Sequence, residues 1–564
     1  MQIKELQANL KKYKLDGYIV TRNNMFLGQD IRDDENIIYQ LTNFSGSAGT
    51  LLILPHKSIL FVDGRYELQA PQEVDNNLVE IICTKTTSFN SWLNQNMQNK
   101  KIGYHPWAHS CKWLKYYSHL DLVAETNFLP LILSPITSKV FEHDIKFSGE
   151  SRENKINLIT SYLKDNKLDA CFLASAENIS WLFNLRSNAL PKTPIFRGMA
   201  LIYSNGETQL FADNIELDIQ STNLTFYSLA DLHKHLKKQK NKKLGYIPSS
   251  SPIGFIDLAE NFQIKLSSMP DLCSQNKAIK NTQELQGIRT AHIRDGVAVC
   301  KFLHWLENNW QEKTELDIVK KLHDFRSKQE HYFSESFDTI AAFGSNGAIV
   351  HYSPSEQTNK KLEKNNLLLI DSGAQYFDGT TDVTRTIAIG NLSQTMIDNF
   401  TLVLKGHINL NSATFPQHTT GKQLDILARQ FLWQDRKDYN HGTGHGVGCF
   451  LNVHEGPQSI SPQSHGGELQ AGMITSIEPG YYLENNYGIR IENLVEICQH
   501  PDTNFLYFKN LTMIPIDKRA INKYLLSNEE VNWLNNYHQE VWNTISPYLT
   551  TSEKEWLSDA CAPL

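Results

Sequence analysis

One ordered series in the C-terminal half constrains this chain most: Asp371, Asp382, His445, Glu478 and Glu492. Each stands beside residues suited to presenting it at the edge of a core. Leu367 to Ile370 form an apolar run leading straight into Asp371, with Ser372 and Gly373 behind it. After the turn pair Asp378-Gly379, the alternation of Thr380 to Ile389 predicts a neighbouring strand carrying Asp382. Ser476-Ile477-Glu478-Pro479-Gly480 ends another apolar strand in a carboxylate. Gly488 to Asn493 reads as an alternating strand with Arg490 and Glu492 on one face. His445 lies in the glycine-rich run His441 to Gly448, whose cost in chain entropy suits backbone that must approach a metal, a substrate or another strand closely.

Singly, an Asp beside Gly is a turn former, and Arg490 with Glu492 is a surface ion pair. Brought together, the five residues gather up to four negative charges. Like charges raise one another's pKa, so such a cluster takes up protons, spreads apart or binds cations. Two divalent ions almost balance it. Mostly oxygen donors with one nitrogen suit Mn, Co, Zn or Fe(II), and Mg less well. Two ions sharing carboxylates would hold a bridging water or hydroxide as nucleophile and polarise the carbonyl under attack, so the reaction class expected is metal-assisted hydrolysis.

At 564 residues the chain is too long for one core. Its first half reads as two diverged copies of an α/β unit, because four segments recur in the same order. Leu15 to Val20 returns as Leu168 to Leu173, Asn36 to Tyr39 as Asn178 to Trp181, Leu60 to Asp63 as Leu210 to Asp213, and Lys101 to Tyr104 as Lys243 to Tyr246. The polar stretch Ser134 to Glu153 is the expected joint between the copies. Asn281 with Glu284 predicts a capping box opening a long helix, with Val299, Phe302, Leu303 and Leu306 on its buried face. A second helix is expected from Thr314, with Ile318, Leu322 and Phe325 on one side, and Trp533, Tyr537, Trp542 and Tyr548 are expected to dock a closing helix. A net charge of -7 gives no electrostatic case for nucleic acid or an anionic membrane surface. No apolar run approaches the ~18 residues that span a bilayer, and Met1 to Leu10 lacks the apolar segment of a signal peptide. Eight cysteines without paired spacing suit a reducing compartment, so a cytoplasmic protein is expected.

The five residues, in this order and with these neighbours, resemble the ligand set of the pita-bread metallopeptidases. The segments AAFGSNGAIVHY (341–352) and HGTGHGVGCFLNVHEGP (441–457) are similar to the Xaa-Pro aminopeptidase branch. The duplicated first half and the closing LTMIPID…EEVNWLNNYH stretch extend the likeness to the three-domain, cytosolic type over the whole chain; Cys449 stands where a small residue is expected. The resemblance implies an α/β (α+β) architecture. Two creatinase-like N-terminal domains would occupy 1–145 and 146–278, a pita-bread catalytic domain 279–519 and a C-terminal helical extension 520–564. It implies that Asp371 chelates one metal, that His445 and Glu478 hold the other, and that Asp382 and Glu492 bridge both. Glu478 would also be the general base. His351 and His454 would contact the scissile carbonyl and the bound peptide, His441 would line a pocket for the proline ring, and Arg490 would orient a metal-binding carboxylate. The metal implied is manganese, with zinc or cobalt as alternatives. The substrates implied are peptides with proline at the second position, and the assembly a homodimer. Prolidase, which cleaves Xaa-Pro dipeptides only, and a metal-free pita-bread peptide binder are the competing readings.

Overall fold

The echoing runs Tyr18-Ile19-Val20 and Cys171-Phe172-Leu173 become interior strands of two separate six-stranded sheets. The structure, a computed structural model, describes residues 2–28, 30–220, 223–464 and 466–564. It divides into two units, one of Met1–Ile145 with Glu150–Cys273 and one of Lys146–Gly149 with Ser274–Leu564.

In the first unit, Gly17–Thr21 runs antiparallel to Thr50–Ile53 and parallel to Lys101–Tyr104. Ser58–Val62 then Val79–Cys83 extend one side, antiparallel and parallel in turn, and Asp121–Ala124 extends the other. The second sheet repeats this order and these directions with Ala170–Leu173 at the equivalent interior place. Met199–Tyr203, Thr208–Phe211 and Phe226–Tyr227 lie on one side of it, and Lys243–Tyr246 and Lys265–Ser268 on the other. Three of the four echoes therefore occupy matching strands. The fourth is slipped. Asn36 caps the helix Ile37–Thr42, accepting from Tyr39 N–H, whereas Ser175 caps Ala176–Leu182 and Asn178 lies inside it, bonded to Asp271 at 2.9 Å. The stretch Ser134 to Glu153 is no bare joint either: Ser138–Glu142 is a strand, parallel to Ile215–Asp218 and antiparallel to Leu185–Ser187.

In the second unit, the Asn281–Glu284 capping box forms and opens the helix Thr282–Asn309. Its residues Val299, Phe302 and Leu306 pack with Ile318 and Leu322 of the helix Glu315–Arg326 against Leu368, Ile370, Ile387 and Ile389. Those last four belong to a three-stranded antiparallel sheet of Ile340–Phe343, Asn366–Ser372 and Val383–Ile389. A six-stranded sheet carries Gly444–Gly446, Glu455–Ile460, Ile474–Ile477 and Asn493–Gln499, and a hairpin joins Gly480–Leu483 to Tyr487–Arg490. The closing helix Asn528–Ile545 buries Leu534, Tyr537, Val541 and Ile545. Tyr548 lies beyond it in a short turn and is 59% exposed, outside the helix's buried face. No helix among the described residues is long and apolar enough to cross a membrane.

Candidate active site

Asp371 sits near the end of its strand, paired across to Thr384 on one side and Ile340 on the other. Asp382 and Glu492 do not lie in strands as the alternation predicted. Asp382 stands between Gly379–Thr380 and Val383–Ile389, and Glu492 between Tyr487–Arg490 and Asn493–Gln499. In both places the chain is leaving one sheet for another. The Thr381 N–H still bonds back to Ala374 O, and the Glu492 N–H turns sideways to Thr384 O at 3.1 Å. A strand changing sheets aims a side chain into the gap between them, which strict alternation along one strand cannot do.

His445 lies in Gly444–Gly446, between Glu455–Ile460 and Ile474–Ile477. The glycines beside it are required by close approach. A Cβ on Gly444 would collide with the Ser476 carbonyl, and one on Gly446 with the Glu455 carbonyl. Glu478 follows directly on Ile474–Ile477, its N–H bonded to Thr443 O at 2.7 Å.

The ligand atoms of Asp382, His445 and Glu492 lie within 4.8 Å of one another. His445 Nε2 is 3.3 Å from Glu478 Oε1 and 3.6 Å from Asp382 Oδ2. Its Nδ1 faces Gly446 O at 3.0 Å, a bond in which Nδ1 is the donor, so Nε2 is the ring atom turned to the carboxylates. Arg490, 1% exposed, donates to Asp371 Oδ2 at 2.6 Å. The Thr384 hydroxyl donates to Glu492 Oε2 at 2.7 Å and receives Arg490 Nε at 3.2 Å.

Burial pushes Asp382 and Glu492 well above the usual carboxylate range, and the neighbouring acids push in the same direction. Glu478 is raised as well, first by burial and then by Asp371, against the lowering pull of His445 and Arg490. Burial alone would lower Arg490, but the Tyr482, Asp371 and Glu478 oxygens more than reverse it. Asp371 Oδ1, Asp382 Oδ1 and Glu492 Oε1 are buried with no hydrogen-bond partner. Orphaned buried carboxylate oxygens are costly. A cation supplies the partner they lack, so the residues fit a divalent metal centre.

His454 packs edge-on against His445, ring centroids 4.4 Å apart. His441 meets Tyr482, whose hydroxyl is 2.8 Å from His441 Nε2 and receives Arg490 Nη1 at 2.7 Å. That chain of bonds runs from His441 through Tyr482 and Arg490 to Asp371. His351, half-buried, follows the turn Gly344–Ala348, which packs on the Asp371 strand and on Tyr487–Arg490. Three contributors escaped the sequence reading: Tyr482, Thr384 and Ser476. Ser476 receives His445 N–H at 2.9 Å and donates to Glu478 Oε1 at 3.1 Å. Thr384 and Ser476 stand two residues from Asp382 and Glu478, so a period-two reading could have found them. Nothing local marks Tyr482.

Residues 286–499 match the family model for metallopeptidase family M24, and 504–564 match that for its C-terminal region. Residues 2–131 and 134–284 each match a creatinase/prolidase N-terminal domain. Xaa-Pro aminopeptidase 1 of Dictyostelium discoideum is 33% identical, covering 100% of this chain and 96% of that protein. The crystal structure of X-prolyl aminopeptidase from Caenorhabditis elegans, described as a cytosolic enzyme with a di-nuclear active site, superposes with a TM-score of 0.92 at 32% identity over 100% of both chains. Prolidase from Pyrococcus horikoshii reaches a TM-score of 0.51 at 26% identity, covering 64% of this chain and 99% of its own. With relatives of this kind matching from end to end, the chain belongs to the Xaa-Pro aminopeptidases of metallopeptidase family M24.

Proposed function

We propose that this chain is a metal-dependent aminopeptidase that hydrolyses the first peptide bond of peptides with proline in second place and releases the first residue. The observation that carries the reading is the convergence of Asp382, His445 and Glu492 around carboxylate oxygens that have no protein partner. Asp371 would hold one ion, His445 and Glu478 the other, with Asp382 and Glu492 between them. When bound, two divalent ions polarise the scissile carbonyl and acidify water.

The chain's own residues do the rest. Glu478, raised by burial and fixed by the Ser476 hydroxyl, takes the proton of the attacking water on its carboxylate and delivers it to the proline nitrogen as the C–N bond breaks. His454 and His351 offer ring N–H groups to the scissile carbonyl and the bound peptide. Arg490 holds Asp371 in place, and His441, fixed by Tyr482, lines the proline pocket. A Xaa-Pro bond has no N–H and its ring blocks strand-like binding, so a shaped pocket must replace backbone pairing.

The oxygen-rich donor set favours manganese, with zinc and cobalt the alternatives that metal analysis separates. A cytoplasmic homodimer completes the reading, with domain limits at 145, 278 and 519; light scattering on the purified chain tests the dimer. The decisive assay compares Xaa-Pro with Xaa-Pro-Yaa. Release of Xaa from the tripeptide is expected. Cleavage of the dipeptide alone would make the protein a prolidase, and a protein that takes up no metal, cleaves neither peptide and keeps its stability after EDTA would be a peptide binder.

A further inference from the structure

Lys277, Lys280 and Glu455 form a buried ionic cluster outside the candidate metal centre. Lys280 Nζ lies 2.5 Å from Glu455 Oε1 and Lys277 Nζ 3.3 Å from Oε2. All three residues are at most 3% exposed. Burial alone would push the Glu455 carboxyl up, but the two ammonium groups more than reverse this and hold it below its ordinary value. Such clusters contribute little net stability against apolar replacements, so what this one does is a matter of geometry.

Glu455 opens the strand Glu455–Ile460, and its neighbour His454 is the residue packed edge-on against His445. The ladder is irregular here. Gly446 pairs with Glu455 while His445 pairs with Ser459, so Gly456, Pro457 and Gln458 bulge out unpaired. A bulge re-aims side chains and weakens register; beyond it Glu455 has its pairing with Gly446, and the ionic cluster adds a second tie at the same residue. A Cβ on Gly448 would stand 2.8 Å from Leu451 Cβ, 2.9 Å from Asn452 O and 3.0 Å from Glu455 Oε2, so the glycine admits the loop that packs on the cluster. The lysines are themselves tied to the other side of the site: Lys280 N–H bonds to Gly472 O at 2.9 Å, and Ile279 bridges to Met473, just before the strand Ile474–Ile477 that ends at Glu478.

We propose that Glu455, clamped between Lys277 and Lys280, is a positioning residue that holds the His454 ring against His445 and so couples the His454 loop to the Glu478 strand. The proposal rests on the reading of His454 as a substrate-contacting residue. A double-mutant cycle on the metal-loaded protein tests it, with Glu455→Gln, His454→Ala and both together, reading kcat and KM on a Xaa-Pro-Yaa peptide and metal content per chain. Glu455→Gln is expected to lower kcat by about tenfold, in the range found for groups that orient a metal site's inner residues, with metal content intact. In the His454→Ala background the same change should add less than about twofold, because the residue through which it acts is gone. Should Glu455→Gln fail to fold, Lys280→Met enters the cycle in its place. Wild-type kcat in the single variant overturns the clamp, and so does an equal loss in both backgrounds. Wild-type turnover by His454→Ala overturns the role of His454 and the clamp with it, which separates the two failures.

Discussion

Both units place acids at strand ends or just before or after strands, and the two sets meet opposite fates. In the first unit Asp63 accepts from the Arg65 backbone at 3.0 Å and from its guanidinium at 2.7 and 2.8 Å. Asp16 caps Lys101 N–H at 2.9 Å, Asp169 caps Lys243 N–H at 2.8 Å, and Asp213 takes Leu229 N–H at 2.9 Å. These are turn formers whose charge is answered locally. In the second unit Asp371, Asp382 and Glu492 are buried, crowd one another and each keep an oxygen without a donor. A strand-end acid becomes a site candidate when the protein leaves its oxygens unanswered, not when it sits beside glycine.

The largest effect that could break this contrast is on turnover. Glu478→Gln removes the proton carrier while keeping the shape, and kcat on a Xaa-Pro-Yaa peptide should fall by about 10²- to 10⁴-fold. Next comes metal removal. Stripping with EDTA should abolish turnover and lower Tm, and in the stripped protein Asp382→Asn should raise Tm again by a few degrees, because it deletes one of the mutually repelling buried charges. The same change at Asp63 should do the reverse, costing stability and sparing activity. If Asp382→Asn destabilises the stripped protein as Asp63→Asn does, the two kinds of acid are not different.

How much of this could be read in advance follows the same division. The five residues were legible because each is punctuated by glycine or a strand end within a few positions. The duplication was legible because buried strands such as Tyr18 to Val20 and Cys171 to Leu173 are short apolar runs. The strand Ser138–Glu142 was not, since its sequence mixes Ser, Lys and Glu with only Val140 and Phe141 and so has no apolar run, although it lies between two partners. The sheet changes at Asp382 and Glu492 were missed because they depend on bonds to Ala374 and Thr384, groups that only folding brings near. The Arg490 bond to Asp371 spans 119 positions and the Tyr482 link to His441 spans 41, so no local pattern reports them.

A smaller effect sharpens the picture. Ser476→Ala removes the hydroxyl shared by His445 N–H and Glu478, and kcat should fall by about tenfold with the fold intact. Smaller again is an acid response common to both units. Burial lowers His105 and His109 to about 4, and His407 and His538 to about 3. A depressed folded pKa gives stability that is present above the ordinary value near 6.5 and is lost as pH falls toward the folded value. His407→Gln should therefore narrow the drop in Tm between pH 7.5 and pH 5, and an unchanged drop would exclude His407 as a contributor. The smallest effect is Asp63→Asn itself, about 1 kcal/mol or less for a half-exposed pair, with kcat unchanged.

The central claim is that the unanswered oxygens hold the ions that drive hydrolysis. Titrating the EDTA-stripped chain with manganese, while following turnover of a Xaa-Pro-Yaa peptide against bound metal, measures this directly. Turnover should be absent at the start and reach its full value as bound metal reaches two ions per chain. A stripped protein that still cleaves the peptide, or one that binds no manganese, would contradict it.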